Sequence, residues 1–308
     1  CLKREIPSEH IPPRNKSETN LLEAAHQFDR YLRAHAAEQL KSLYRAITAR
    51  MGFLFYAPRN STEIGLMFEV INSRGKLLSE LDKVKNFLIY YANRHRLSDL
   101  HAQVNDVWAE ILANLNQVGI TTNDEELMFL QACWTPFGDP RTRKGAPVYE
   151  GLKAKVAGIS HEEGFGQLSA FVRLLRHGAQ TFRYLYNRAA AADNTDESLW
   201  MERISFHPRL ASVLPLVVAL FYRENDREER TTALELIEKL NFRFYVLGIA
   251  GRSDSCQSEL NQLAYDYFHG DLSERDEPCT TGDLKDGLRV FIRNNAVSCA
   301  TAASPFIL

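Results

Sequence analysis

The chain has 308 residues, 45% of them apolar and 25% charged, with a formal net charge of −2. This is an ordinary soluble globular composition, long enough for one large or two ordinary domains. The near-balanced charge excludes a global electrostatic pull toward nucleic acid or membrane, so any nucleic-acid contact must come from a local patch.

The five cysteines, at 1, 133, 256, 279 and 299, form no Cys-x-x-Cys pair, and the histidine spacing offers no zinc template. An odd, scattered set reads as reduced thiols in a cytosol, and no signal peptide is recognisable. The chain opens on Cys1 and closes on "CATAASPFIL", which raises the expectation of a piece of a longer protein.

Helical periodicity dominates from the start. Ser17 is a candidate N-cap, and Leu21, Ala25, Phe28 and Leu32 follow on one face. A second helix is expected over 36–50, and "GFLFYAP" (52–58) is the best strand candidate. The next helix starts at Asn60 or Ser61, has Glu63 in its first turn, and ends at Gly75, a residue able to take positive φ. Ser79 and Asp82 then form a Ser-x-x-Asp capping box for a helix burying Leu81, Val84, Leu88 and Ile89.

Further helices follow. One carries Val104, Trp108, Ile111, Leu112 and Leu115, and another covers 125–134. "GDPRTRKGAP" (138–147) reads as an exposed loop. Helices are expected over 148–157, 162–191, 208–223, 227–248, 256–269 and 283–294, with "AAADNTDES" as a linker. The apolar run "LASVLPLVVALFY" (210–222) is thirteen residues with Pro215 inside. A membrane span needs roughly 20, so the run reads as a buried core helix. The fold class is mainly α: a multi-helix array with one short residual strand, truncated from a larger α+β multidomain protein.

Several strings invite a chemical reading. "SEHIPPRN" (8–15) resembles the opening of an HNH-type nuclease finger, but its prolines force an extended segment with no strand pair, so it reads as a leader. Arg141, Arg143 and Lys144, with Lys153 and Lys155 on the following helix, form a candidate nucleic-acid patch; ordinary solvated loops also supply such clusters. "RHGAQTFRYLYNR" (176–188) mixes cations and aromatic rings, yet its tyrosines lie two apart and point to different helix faces, favouring core packing of Phe182 and Leu185. His161, His177 and His207 stand apart from one another without a nucleophile signature. No Walker loop or dinucleotide glycine fingerprint occurs.

The stretch "FEVINSRGKLLSELDKVKN" (68–86) is denser in polar chemistry than its neighbours. Two capping devices around a Gly turn explain Gly75, Ser79 and Asp82, but not Asn72 and Arg74. Lys83, Lys85 and Asn86 fall in the first two turns of the next helix, where cations oppose the dipole, which suggests an anion or acidic partner nearby.

The same stretch resembles the Phe-Glu-x-x-Asn-x-Arg-Gly-x-x-Leu-Ser-x-x-Asp-x-x-Lys-Asn signature of the GmrSD-type restriction family, modification-dependent (type IV) endonucleases and relatives in anti-phage defence. Phe68, Glu69, Asn72, Arg74, Gly75, Leu78, Ser79, Asp82, Lys85 and Asn86 match it. The resemblance covers about 18–270 and is strong across 50–90. It implies a ParB/sulfiredoxin-like nucleotide-handling module whose Phe-x-x-x-Asn element is Phe68 and Asn72, then a helical region, then an HNH-type nuclease domain.

The family's Asp-Gly-Gln-Gln-Arg motif is missing, and no HNH finger follows residue 270. The expected organisation is therefore the C-terminal part of the ParB-like module in 1–95, a helical domain in 96–270, and a truncated connection toward a nuclease domain in 271–308. The implied function is a fragment of a nucleotide-regulated endonuclease lacking both catalytic motifs. The alternative is a non-enzymatic helical interaction module. No catalytic residue and no metal ligand is assigned within the chain. A nucleoside triphosphate and a divalent metal are expected for the whole protein. DNA, the missing parts and a second copy of the chain are the expected partners, with no membrane and a cytoplasmic location.

Overall fold

The computed structural model describes residues 16–52, 78–141, 145–187, 195–207, 210–246, 256–270 and 280–300. The described residues are mainly helical, with twelve α-helices and no strand. The strand expected at 52–58 and the helix expected at 60–74 lie almost entirely outside them. The chain divides into two compact units, residues 1–59 and 60–308.

The first unit contains α1 (Lys16–Ala34) and α2 (Ala37–Ala49). α1 begins at Lys16, so Ser17 lies inside its first turn rather than ahead of it. The predicted apolar stripe exists but stays open to solvent: Leu21 is 67% exposed and Phe28 69%. α2 buries no residue at all.

The second unit runs α3 (Glu80–Arg94), α4 (Ser98–Gln117), α5 (Asn123–Phe137), α6 (Val148–Val156), α7 (His161–Tyr186), α8 (Asp196–Ser205), α9 (Leu214–Arg223) and α10 (Arg227–Asn241). α10 continues as a π-helical turn, Phe242–Val246, where a plain α-helix to 248 was expected. α11 (Gln257–His269) and α12 (Thr281–Ala300) complete it.

Side-chain caps fix five of the starts. Ser79, Thr122, Ser160, Thr195 and Asp226 each accept a hydrogen bond from a backbone N–H in the first turn of the following helix. Each satisfies a donor that has no intrahelical acceptor. At α5 the box is reciprocal, because Glu125 Oε2 accepts from the Thr122 N–H at 3.0 Å.

α7 organises the core. Leu168, Phe171, Val172, Leu175, Ala179 and Phe182 recur at helical spacing and are fully buried. α7 packs on α4, α5, α8 and α9. Phe182 meets Phe129 of α5 edge-on at 5.2 Å, and Phe171 stacks on Phe137 at 4.9 Å. Burying each such ring contributes roughly 1.5–3 kcal/mol. Phe182 and Leu185 of the 176–188 string are buried, as its spacing implied, and Tyr186 and Tyr184 pack on Phe182 and Phe221.

Three expectations need correction. Leu112, placed in the α4 stripe, is exposed, because the buried face runs through Val104, Val107, Trp108, Ile111 and Leu115. The 208–223 helix starts only at Leu214, with Pro215 in the first turn, where its missing N–H costs no helical bond. The "AAADNTDES" linker contains the start of α8: Thr195 caps it, and Asp196 and Glu197 complement the dipole. Among the described residues no helix is long and apolar enough to cross a membrane.

Candidate anion cleft and the 68–86 stretch

Of the 68–86 signature, Phe68, Asn72, Arg74 and Gly75 lie outside the described residues. Ser79, Asp82, Lys85 and Asn86 are placed on α3 or at its start. Ser79 Oγ accepts from the Asp82 N–H at 3.1 Å, so the cap forms. The return half of the expected box does not: the Asp82 carboxylate makes no bond to the Ser79 N–H, its side chain being one methylene shorter than the Glu that completes such boxes.

The lysines that suggested an offsetting anion have protein partners instead. Lys83 Nζ pairs with Glu80 Oε1 at 2.7 Å. Lys85 lies over the Trp108 ring at 5.9 Å. Glu80 also accepts from the Tyr149 N–H at 3.2 Å through its other oxygen, serving the open N-terminus of α6 in place of a cap. The α3 start is therefore a joint that ties α6 to α3 through Glu80, which also holds Lys83.

The cationic patch is rearranged by the fold. Lys153 turns to Tyr149 and Glu150, at 4.8 Å from the ring and 3.4 Å from the carboxylate. Arg143 and Lys144 lie outside the described residues. Arg141 and Lys155 instead meet on an open cleft of about 830 Å³ between the end of α5, the loop after it, α6 and α11. Trp134, Pro140, Pro147, Gln262 and Tyr265 also line it.

The cleft is built by two glycines and two pinned loop ends. A Cβ on Gly138 would sit 2.4 Å from the Trp134 ring and one on Gly151 2.7 Å from it, so only glycine lets α5 and α6 close on that indole. Arg141 donates to Asp139 Oδ1 through both its backbone N–H (2.9 Å) and Nε (3.1 Å). At the other end Gln131 donates to Ala146 O at 2.8 Å and accepts from the Gly145 N–H at 3.2 Å. α11 is held against α5 by His269 Nε2, 3.2 Å from Phe137 O.

Lys155 differs from Lys83 and Lys153, which each have a carboxylate partner. Its ammonium lies over the Phe137 ring at 4.9 Å and forms no hydrogen bond or ion pair among the described residues. Burial holds its pKa below the ordinary lysine value, because the charged form has lost water without gaining a counter-charge. Arg141 and Lys155 against Asp139 leave the cleft net positive. Arg141 and Lys155 were visible in sequence as members of the patch, but the walls were not, since Gln262 and Tyr265 reach the cleft from more than a hundred residues downstream.

The other flagged groups are structural. His161 packs on His95 (ring centroids 3.9 Å), His177 on Tyr222 (5.3 Å), and His207 lies 3.4 Å from Glu238. Among the described residues no cluster of three or more His, Cys, Asp or Glu side chains is placed to hold a metal ion. Cys133 is fully buried and Cys256 is half-buried, and neither forms a disulfide among the described residues. Burial pushes the Cys133 thiol far up, which keeps it an inert packing group.

The described residues thus form a helical array with a positively charged cleft between α5, α6 and α11. Compared with protein-family models, curated proteins and solved structures, the chain finds no match.

Proposed function

We propose that this chain is the helical, nucleotide-responsive portion of a GmrSD-like, modification-dependent DNA endonuclease of anti-phage defence, carrying neither the nucleotide-hydrolysing nor the nuclease motif itself. The observation that carries the reading is the run of ten signature residues between Phe68 and Asn86. The Ser79 cap and the Glu80 link from α3 to α6 support it physically. A residue change near 68–77 has a short covalent route into α3, and α3 packs on α4, α5 and α6. Such a joint is the kind of element whose balance a nucleotide can bias.

In this reading Asn72 and Arg74 contact the nucleotide, a nucleoside triphosphate and a divalent metal act in the whole protein, and DNA is the substrate. The test is nucleoside-triphosphate-dependent cleavage of modified phage DNA by the protein expressed with its adjoining reading frame. Loss of turnover in Asn72→Ala at an unchanged melting temperature supports the reading. Absence of turnover in the wild-type protein overturns it. That second outcome leaves the non-enzymatic interaction module, which is favoured by the solvent-exposed stripe of Leu21, Phe28 and Leu32 on α1.

A further inference from the structure

The α5–α6–α11 cleft has three properties that the protein's own contacts do not use up. It carries net positive charge, with the Lys155 ammonium lacking any acidic or hydrogen-bonding partner and Arg141 bonded only through its backbone N–H and Nε among the described residues. It offers ring and proline surface, from Tyr265, Trp134, Pro140 and Pro147. It also carries the Gln262 amide, whose Nε2 donates to Asp266 at 2.6 Å and whose carbonyl oxygen makes no bond among the described residues. A half-buried lysine without a counter-charge is costly to keep unless something supplies one.

Size then limits what that is. About 830 Å³ is within the range of roughly 300–1,000 Å³ that small-molecule sites occupy, and far more than one phosphate group fills. The occupant needs an anionic head for Lys155 and Arg141 and a flat body for the ring and proline walls. Asp139, already committed to Arg141, disfavours a ligand with several dispersed negative charges and favours one compact head.

We propose that this cleft binds a nucleoside phosphate, with the phosphate on Lys155 and Arg141, the base against Tyr265 and the Trp134 edge, and the Gln262 carbonyl accepting from a base N–H. This site is separate from the 68–86 stretch and does not rest on the function proposed above. The same phosphorylated ring is presented by a free nucleotide or by the 5′-phosphorylated end of a DNA strand.

The test is isothermal titration of the 308-residue chain with AMP, adenosine, inorganic phosphate, and a short single strand with and without a 5′-phosphate. AMP binds more tightly than either adenosine or phosphate. Lys155→Gln weakens AMP roughly tenfold or more, the loss of one charge-assisted contact. Tyr265→Leu weakens AMP but leaves phosphate unchanged. Lys83→Gln, at a lysine already paired with Glu80, changes nothing. A preference for the 5′-phosphorylated strand over AMP identifies the strand end as the source, and the reverse identifies the free nucleotide. No AMP binding, binding indifferent to Lys155→Gln in a variant with native circular dichroism, or phosphate binding as tightly as AMP overturns the proposal. AMP binding abolished by Asn72→Ala but not by Lys155→Gln assigns the nucleotide to the 68–86 stretch and likewise overturns it.

Discussion

Two regions of the second unit set lysines beside aromatic rings, and they end in opposite states. At the start of α3, Lys83 has Glu80 and Lys85 has the face of buried Trp108. At the end of α6, Lys155 has only the Phe137 ring, in a cleft floored by buried Trp134. The residue types are alike, and the difference is whether the fold supplies an anion. At Lys83 it does, through Glu80 of the same helix; at Lys155, as at Lys85, it does not, and at Lys155 the charge faces an open cleft that a ligand can enter. A count of cations along the chain cannot separate these cases, whereas tracing each charge to its partner does.

Replacing the two indoles probes that difference most strongly. Trp108→Ala and Trp134→Ala each lose about 3–5 kcal/mol in urea denaturation, since both side chains are nearly fully buried. A small loss for Trp134→Ala would mean that the cleft floor is loose rather than packed. Gly151→Ala comes next. The added methyl meets the Trp134 ring at 2.7 Å, and overpacking of about 1–3 kcal/mol outweighs the helix-propensity gain of roughly 1 kcal/mol. Gly166→Ala, at a helical glycine with nothing within 4 Å, serves as the control and is neutral or stabilising.

Removing the cap tests the joint itself. Ser79→Ala costs about 1 kcal/mol, read as a shift of the denaturant midpoint at constant slope. The lysines give the smallest effects and differ in sign. Lys83→Met, which removes an i,i+3 pair to Glu80, costs a few tenths of a kcal/mol. Lys155→Met stabilises by less than about 1 kcal/mol, because it removes a half-buried charge while keeping an apolar contact with Phe137.

The pH dependence of the Lys155 effect follows from linkage. The folded state holds this proton less tightly than the unfolded chain, so the unfolded state binds more protons in the alkaline window and stability rises with pH there. The penalty is full below the folded pKa and is relieved as pH approaches the ordinary lysine value of 10.5. The melting-temperature gain of Lys155→Met over wild type is therefore largest near neutrality and shrinks in that window.

Much of the helical layout was legible because caps and periodicity are local. Ser79 and the Leu81–Val84–Leu88 stripe stood where they were expected. The start of α8 was legible too, in Thr195 followed by two acids, but the small polar residues around it read as a linker. Leu112 misled because its apolar character suits a core face that the chain turns slightly away from α7. The cleft was legible only in two of its cations, Arg141 and Lys155. Its cations lie in one loop–helix segment, but its walls come from α11, and only the tertiary fold shows that Lys153 and Lys155, two residues apart, point to different surroundings. The glycines that admit Trp134 carry no sequence signal of a close approach.

The most direct measurement is a lysine side-chain nuclear magnetic resonance titration of the intact chain, alone and with AMP. The Lys155 Nζ signal is expected to titrate below the ordinary lysine value in the free protein and to move upward when AMP is added, while the Lys83 signal stays where it was. A Lys155 signal indifferent to AMP, or a Lys83 signal that shifts as much, would contradict the assignment of the α5–α6–α11 cleft as the place where this protein keeps an uncommitted charge for a phosphate.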